Sequence, residues 1–345
     1  MVDLLGRPLR DLRISVTDSC NFRCTYCLPA HAFPADYPFL SGSQLLTFDE
    51  ILRVVEAALP LGLKKVKLTG GEPLLRSLLP ELVRSLSKFP GLETGLITNG
   101  LHLEALLPRL VDAGLGSVTV SLDALDPEVF SRMTGNGHSV EAILKAIDAV
   151  HRAYGTVKIN TVLLRGENDD QVESLARHFR RPGFDLRFVE FMDVGTLNRW
   201  SRERVVPGDE VLARLQLLGT LTPLPKKHAG ETSERWAWSD VPSAPSDETS
   251  APSAGQGSVG FINSVTRPFC GDCSRVRLGA DGRLYTCLFS AKGFDLRAPL
   301  RRGESADALG ARLAAIWSGR SDRYSELRGV TPAAADRIEM FAVGG

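Results

Sequence analysis

The chain has 345 residues, room for two domains or one large barrel with an appendage, and its 43% hydrophobic and 24% charged content is ordinary for a folded chain with a sizeable core. Lys+Arg and Asp+Glu are both 41, so no global field draws nucleic acid, and an anionic ligand has to be held by local cations. The opening Met-Val-Asp-Leu-Leu-Gly-Arg lacks the basic start and apolar core of a signal peptide, and no apolar run reaches the roughly 18 residues of a membrane span, so the expectation is a cytoplasmic chain without a membrane partner.

Over the first two-thirds, short β-like runs alternate with amphipathic helical stretches. Strand patterns fall at Leu12–Thr17, Lys65–Thr69, Thr94–Thr98, Ser117–Leu122, Val157–Leu164 and Leu186–Phe191. Helical patterns fall at Phe48–Leu61, Leu79–Phe89, Leu103–Ala113, Val140–Tyr154 and Asp170–Arg180. Thr47 and Glu50 spell a capping box, and Gly62 and Gly114 sit where helices should end. Six β/α units in series demand parallel strands with right-handed crossovers. A doubly wound sheet and a partial (β/α) barrel both satisfy that pattern. Residues 241–257, VPSAPSDETSAPSAGQG, are too polar and Pro/Ser-rich to bury a face and read as a flexible linker. It divides an N-terminal domain, 1–240, from a C-terminal one, 258–345. The latter has a short strand at Val259–Ser264, a hairpin turning at Asp281-Gly282, a helix at Asp307–Trp317 and a Gly344-Gly345 tail.

The six cysteines form two triplets, a pattern of metal or iron–sulfur ligands rather than of a secreted disulfide scaffold. Cys20, Cys24 and Cys27 have the spacing C-x3-C-x2-C directly after the first strand. Three thiolates can hold three irons of a [4Fe–4S] cubane and leave the fourth open, whereas electron-transfer clusters usually close all four. The plainer alternative is a zinc site completed by His31. Thr69-Gly70-Gly71-Glu72-Pro73 follows the second strand, where glycines let backbone approach a ligand and where parallel β/α folds gather their sites. Strand ends at Thr98-Asn99-Gly100, Ser121-Leu122-Asp123, Lys158-Ile159-Asn160 and Glu190-Phe191-Met192-Asp193 add polar groups to the same edge. Cys270, Cys273 and Cys287 form a second open triplet, C-x2-C-x13-C, read as a second cluster. Arg275 and Arg277 alternate on a strand and so share a face, a fork suited to phosphate or carboxylate.

The spacing of the first triplet, with Tyr26 before its last Cys, resembles the signature of the radical S-adenosylmethionine superfamily. Nearly the whole chain is similar to the GTP 3′,8-cyclase family of molybdenum cofactor biosynthesis. The similarity runs through residues 6–17, Thr-Gly-Gly-Glu-Pro, Val-Ser-Leu-Asp at 120–123, residues 187–195, Phe-Cys-x-x-Cys-x-Arg-x-Arg at 269–277 and the Gly-Gly end. It implies an α/β fold, a partial (β/α)6 TIM-like barrel with a C-terminal iron–sulfur domain, and as cofactors two [4Fe–4S] clusters and S-adenosyl-L-methionine. It implies S-adenosylmethionine contacts from Tyr26, Gly71, Glu72, Ser121 and Met192. GTP contacts are implied for Arg13, Lys67, Lys158, Arg275, Val276 and Arg277. Lys67 stands where the family usually has Arg, and Ile97 where it usually has Thr, so Thr98 is taken as the contact there.

The chemistry implied by the resemblance is removal of the C3′ hydrogen of GTP by a 5′-deoxyadenosyl radical, closure of C3′ onto C8, and reduction to (8S)-3′,8-cyclo-7,8-dihydroguanosine 5′-triphosphate. Gly344 and Gly345 would enter the site and steer the radical. The implied partners are GTP, an electron donor and, downstream, the synthase that makes cyclic pyranopterin monophosphate. The oligomeric state stays open, a homodimer among the options. Two rival readings are a peptide-modifying radical enzyme with an auxiliary cluster and a non-catalytic iron–sulfur electron carrier; the latter has no use for the Gly-Gly-Glu-Pro turn or the basic residues.

Overall fold

A computed structural model describes residues 1–34, 36–135, 137–239, 257–330 and 337–344. The expected linker therefore lies outside the described residues except for Gly257, as does Gly345. Six parallel strands run in chain order: β1 (Asp11–Ser15), β2 (Lys65–Thr69), β3 (Glu93–Thr98), β4 (Ser117–Ser121), β5 (Val157–Leu163) and β6 (Phe184–Glu190). A doubly wound sheet reverses its strand order at a switch point. Here neighbours follow the sequence from β1 to β6 without reversal, so right-handed crossovers put the helices on one face and the sheet wraps as a partial barrel. The fold is a mixed α/β sheet with a partial barrel-like parallel part, followed by C-terminal segments that complete its edges.

Those segments add strands on both sides. β7 (Thr220–Leu224) and β8 (Glu234–Ser239) form an antiparallel pair that reaches β9 (Ser258–Ile262), and β9 lies parallel to β6. On the other edge β10 (Arg275–Leu278) lies parallel to β1, extended by β11 (Arg283–Tyr285) and β12 (Phe294–Asp295). The β10–β11 hairpin turns at Gly282, whose φ of +83° suits glycine.

Helix α1 (Phe48–Ala58) starts on the expected capping box: Glu50 N donates to Thr47 Oγ1 and Thr47 N to Glu50 Oε2. α2 (Leu79–Leu86), α3 (Leu103–Asp112), α5 (Val140–Tyr154) and α6 (Val172–Phe179) match the sequence patterns. The periodicity reading did not include α4 (Pro127–Thr134). It had a start signal nonetheless: Asp126 caps Glu128 N and Val129 N, Pro127 takes the first helical position, and Gly135 ends the helix at φ +74°. α7 (Gly208–Gln216), α8 (Arg297–Arg301), α9 (Ala306–Ser318) and the short α10 (Met340–Val343) complete the described helices.

Strand register separates two faces. Leu12, Val66, Leu96, Val118, Val120, Ile159 and Leu186 share the face that packs under the helices and are buried. Strands covered on both faces normally read as continuous apolar runs. These alternate, because the opposite face carries Arg13, Lys67, Lys158, Arg187 and Arg277, a polar interior inside an apolar wall.

Candidate active site

The first cysteine loop caps the barrel mouth formed by the strands' C-terminal ends. Cys20, Cys24, Cys27 and Tyr26 line a cavity of about 980 Å³ with Gly70, Gly71, Glu72, Ser121, Asn160, Met192 and Met340. The site thus gathers all three cysteines and all five residues expected to contact S-adenosylmethionine. Burial, and after it Glu72, pushes the Cys20 thiol up to about 12. Cys24 is raised well above the usual thiol range by burial, Asp123 and its two neighbouring cysteines. Cys27 is raised by burial, Cys20, Glu339 and Asp123. Bare thiolates so close together and so dry are costly, and a cationic iron–sulfur group is what this donor set fits. Among the described residues no three Cys, His, Asp or Glu side chains converge to hold a single metal ion, and His31 is exposed.

The Gly-Gly-Glu-Pro turn packs its glycines against the strand end that leads into the cysteine loop. A Cβ on Gly70 would stand 2.2 Å from Thr17 O, and one on Gly71 2.3 Å from Ser19 O. The close approach is therefore to the backbone that delivers Cys20, tied by Gly71 N to Thr17 O at 2.9 Å and Glu72 N to Ser19 O at 2.8 Å. The buried Glu72 carboxylate accepts Thr98 Oγ1–H at 2.7 Å, Asn99 N–H at 2.8 Å and Leu74 N–H at 3.0 Å. Burial outweighs those donors and raises Glu72 to about 7. Tyr26 is likewise fixed, its hydroxyl donating to Asp123 Oδ2 at 2.8 Å.

Deeper in the barrel the inward residues form a cationic chamber. Arg13 pairs in register with Lys67 on one side and Arg277 on the other, and Lys158 lies across on β5. Burial and mutual repulsion work together here. Burial first and Arg275 next lower Arg13 to about 10. Burial, with Arg13, Arg187 and Lys158, holds Lys67 well below its ordinary value. Burial, Arg187 and Lys65 bring Lys158 to about 8. Half-buried cations crowded at a stability cost are prepared for a polyanion. The sequence reading gave Arg187 no role; it lies on the same face, paired with Asp185 at 2.6 Å. The signal was its alternation with Asp185 and Leu186.

Two expected contacts stand apart. Thr98 has the opposite parity from Gly95 and Ile97, so its hydroxyl goes to Glu72 and not to the chamber. Val276 has the opposite parity from Arg275 and Arg277, and its side chain packs with Leu9, Leu12, Leu284 and Trp317. Period-two alternation is the reason in both cases.

Cys270, Cys273 and Cys287 line a second cavity of about 860 Å³ with Arg13, Arg275, Arg277 and Arg320. Asn160, Val189 and Met192 line both cavities, which are therefore adjacent rooms of one site. Arg275 Nη2 reaches Cys273 Sγ at 3.7 Å. Burial raises the Cys273 thiol, but Arg275 and Arg320 overcome it and bring it down to about 6. Burial pushes Cys287 up to about 11.

The tail, as far as Gly344, runs between Arg277 of the second room and Thr69 of the first. Phe341 packs its ring against Phe33 at 5.0 Å, with Tyr37 and Phe39 around it. Glu339 accepts Thr196 N–H at 2.8 Å, and Arg337 donates to Asp193 O at 2.7 Å. Arg277 Nη1 donates to the carbonyls of Val343 and Gly344. Gly344 has φ +63°, and a Cβ there would stand 2.1 Å from Thr69 Cγ2.

Residues 14–179 match the Radical SAM superfamily, and residues 184–326 match Molybdenum Cofactor Synthesis C. A GTP 3′,8-cyclase from Xanthomonas axonopodis pv. citri is 46% identical over 347 residues, covering 100% of this chain and 99% of that one. The chain belongs to the GTP 3′,8-cyclase family. Relatives of that name from Acidothermus cellulolyticus (45%, covering 99% and 94%) and Staphylococcus haemolyticus (40%, covering 99% and 98%) match at comparable length. Among solved structures, Streptococcus suis SuiB with precursor peptide SuiA aligns at TM-score 0.48 and 16% identity, over 61% of this chain and 46% of that one. As a cyclase-family member the chain is a radical S-adenosylmethionine enzyme, with a [4Fe–4S] cluster and S-adenosylmethionine as its cofactors. No described helix is long and apolar enough to cross a membrane.

Proposed function

We propose that this chain converts GTP to (8S)-3′,8-cyclo-7,8-dihydroguanosine 5′-triphosphate, the first step of molybdenum cofactor biosynthesis. The observation that carries the reading is the pair of adjacent cavities sharing Asn160, Val189 and Met192, one lined by thiols and carboxylates and the other by thiols and guanidiniums. When bound at Cys20, Cys24 and Cys27, the reduced cluster supplies the electron that splits S-adenosylmethionine into methionine and a 5′-deoxyadenosyl radical. Gly71 offers its carbonyl to the methionine ammonium, which needs an acceptor, while its own N–H is given to Thr17 O. Tyr26, Ser121 and Met192 frame the adenosyl group. Arg13, Lys67, Lys158 and Arg275 hold the triphosphate, which brings about four negative charges at neutral pH.

A second [4Fe–4S] cluster at Cys270, Cys273 and Cys287 would anchor the guanine, so that the ribose spans the shared wall toward the first room. Arg277 and Thr69 position the tail at Gly344 beside that wall, and the buried surroundings keep solvent away from the radical. The barrel, residues 1–240, and the closing part, 258–345, act as one catalytic unit in the cytoplasm. Its product passes to the synthase that forms cyclic pyranopterin monophosphate. Anaerobic, reduced chain incubated with S-adenosylmethionine and GTP should give 5′-deoxyadenosine and the cyclised nucleotide together. Formation of 5′-deoxyadenosine with no nucleotide product under any reductant would refute the assignment of substrate.

A further inference from the structure

The second cysteine loop is held by two arginines that lie far from it in sequence. Arg7 Nη1 donates to Cys270 O at 2.8 Å and to Asp322 O at 2.7 Å. Arg320 Nη1 donates to Cys273 O at 2.7 Å, and its Nε to Thr286 O at 3.0 Å. Thr286 immediately precedes Cys287. Each of the three thiol positions therefore has a backbone carbonyl, its own or its neighbour's, fixed by one of two guanidiniums.

Asp3 joins the pair, accepting Arg7 Nε at 2.6 Å and Arg320 Nη1 at 3.1 Å. Its other oxygen accepts the N–H groups of Leu5 and Arg7, both at 2.9 Å. Trp317 closes the back of the assembly: Nε1 donates to Arg7 O at 3.1 Å, and Arg320 Cζ lies 4.6 Å from the ring centroid.

The charge in this assembly does not balance. The side chains of Asp3, Arg7 and Arg320 are 0%, 1% and 1% exposed, two guanidiniums against one carboxylate. Asp322 offers partial relief at 3.5 Å from Arg320 Nε, but its side chain is 31% exposed. An uncompensated buried charge costs several kcal/mol. One donor is also unspent: Arg7 Nη2 is buried without a hydrogen-bond partner among the described residues. Surplus positive charge behind the loop that carries the thiols is what an anionic, thiolate-bound group completes.

We propose that Asp3, Arg7 and Arg320 form a clamp that pre-positions the second cysteine triad for its iron–sulfur cluster and supplies the positive charge that offsets it. The proposal rests on the second-cluster reading above. All three act through the cysteine loop and are positioning residues, Arg320 also lining the second cavity.

The test uses full-length chain with Cys20, Cys24 and Cys27 changed to Ala, reconstituted anaerobically, so that only the second site can hold iron. About four irons per chain are expected in this parent. Essentially no iron would overturn the second-cluster reading, and the clamp with it. With iron present, Arg7→Met and Arg320→Met should release it to a chelator at least about tenfold faster. Their midpoint potential should fall, because removing a cation favours the oxidised, less negative cluster. Arg7→Lys and Arg320→Lys keep the charge and lose the forked geometry, so they should hold a potential near the parent's while still releasing iron faster. Circular dichroism checks folding, and the Lys variants carry the test if the Met variants fail to fold. Parent-like release and potential in every folded variant would overturn the clamp.

Discussion

The two cysteine triads share a plan of three thiols and differ in what surrounds them. Around Cys20, Cys24 and Cys27 carboxylates dominate: Glu72, Asp123 and Glu339 raise thiols that burial has already raised, with Arg23 opposing them at Cys20. Around Cys273 they are Arg275 and Arg320, which bring the thiol down to about 6 against the same burial. An anionic room suits a cationic partner, and S-adenosylmethionine carries both a sulfonium and an ammonium. A cationic room suits a polyanion, and its guanidiniums continue into the Arg13, Lys67 and Lys158 chamber. On the proposed function, one plan of three thiols serves two different ligands because the surrounding charge differs in sign.

Breaking the first room should have the largest effect. Cys24→Ala removes a ligand that no described side chain nearby can replace, and 5′-deoxyadenosine formation should vanish. Retained cleavage of S-adenosylmethionine would end the assignment of that triad. Next comes the wall between the rooms. Gly344→Ala imposes a Cβ at φ +63° and 2.1 Å from Thr69 Cγ2, so the tail must move while both rooms stay intact. S-adenosylmethionine cleavage should persist, and the ratio of cyclised nucleotide to 5′-deoxyadenosine should fall, by as much as about a hundredfold. An unchanged ratio would make the tail an ordinary chain end.

The second room is probed by its arginines. Arg275→Ala should weaken GTP binding by roughly 1.5–3 kcal/mol, the worth of a charge-assisted hydrogen bond. Arg277→Ala should do so less cleanly, because Arg277 also holds the tail carbonyls, and it should lower the product ratio as well. Equal GTP affinity in both variants and wild type would remove the pair from phosphate recognition.

The smallest effect is a pH dependence. Burial and the neighbouring cations let Lys158 lose its proton as pH rises through about 8, and bound phosphate favours the protonated form. GTP affinity should therefore be full below that value and fall above it, by up to about tenfold per pH unit for that proton. Binding near pH 8 should take up a proton, measurable by calorimetry in two buffers of different ionisation enthalpy. Lys158→Gln should abolish that share of the uptake; the same uptake in the variant would locate the proton elsewhere.

Much of this was legible in the sequence, for identifiable reasons. Strand and helix positions followed from periodicity, and both triads from cysteine spacing. The choice between a doubly wound sheet and a barrel was not legible, because strand order is a long-range property. The chamber was legible but only partly read. Asp11-Leu-Arg-Ile, Lys65-Val-Lys-Leu, Val157-Lys-Ile-Asn and Asp185-Leu-Arg-Phe alternate as parallel strands covered on both faces usually do not, and that alternation announces a polar interior. The same parity separates Thr98 from Ile97 and Val276 from its flanking arginines. The close packing of Gly70 and Gly71 against Thr17–Ser19 was hidden, since a glycine pair reads alike whether backbone or ligand comes near. So was the assembly of Asp3, Arg7 and Arg320, whose Asp3–Arg320 contact joins residues 317 positions apart.

The central claim is that the two adjacent rooms bring C3′ of GTP to the radical made in the first. GTP deuterated at C3′, incubated with reduced chain and unlabelled S-adenosylmethionine, tests it directly by mass spectrometry of the 5′-deoxyadenosine formed. Abstraction at C3′ should transfer one deuterium into 5′-deoxyadenosine, matched by its loss from the cyclised nucleotide. Unlabelled 5′-deoxyadenosine accompanying a nucleotide product that retains its deuterium would contradict it.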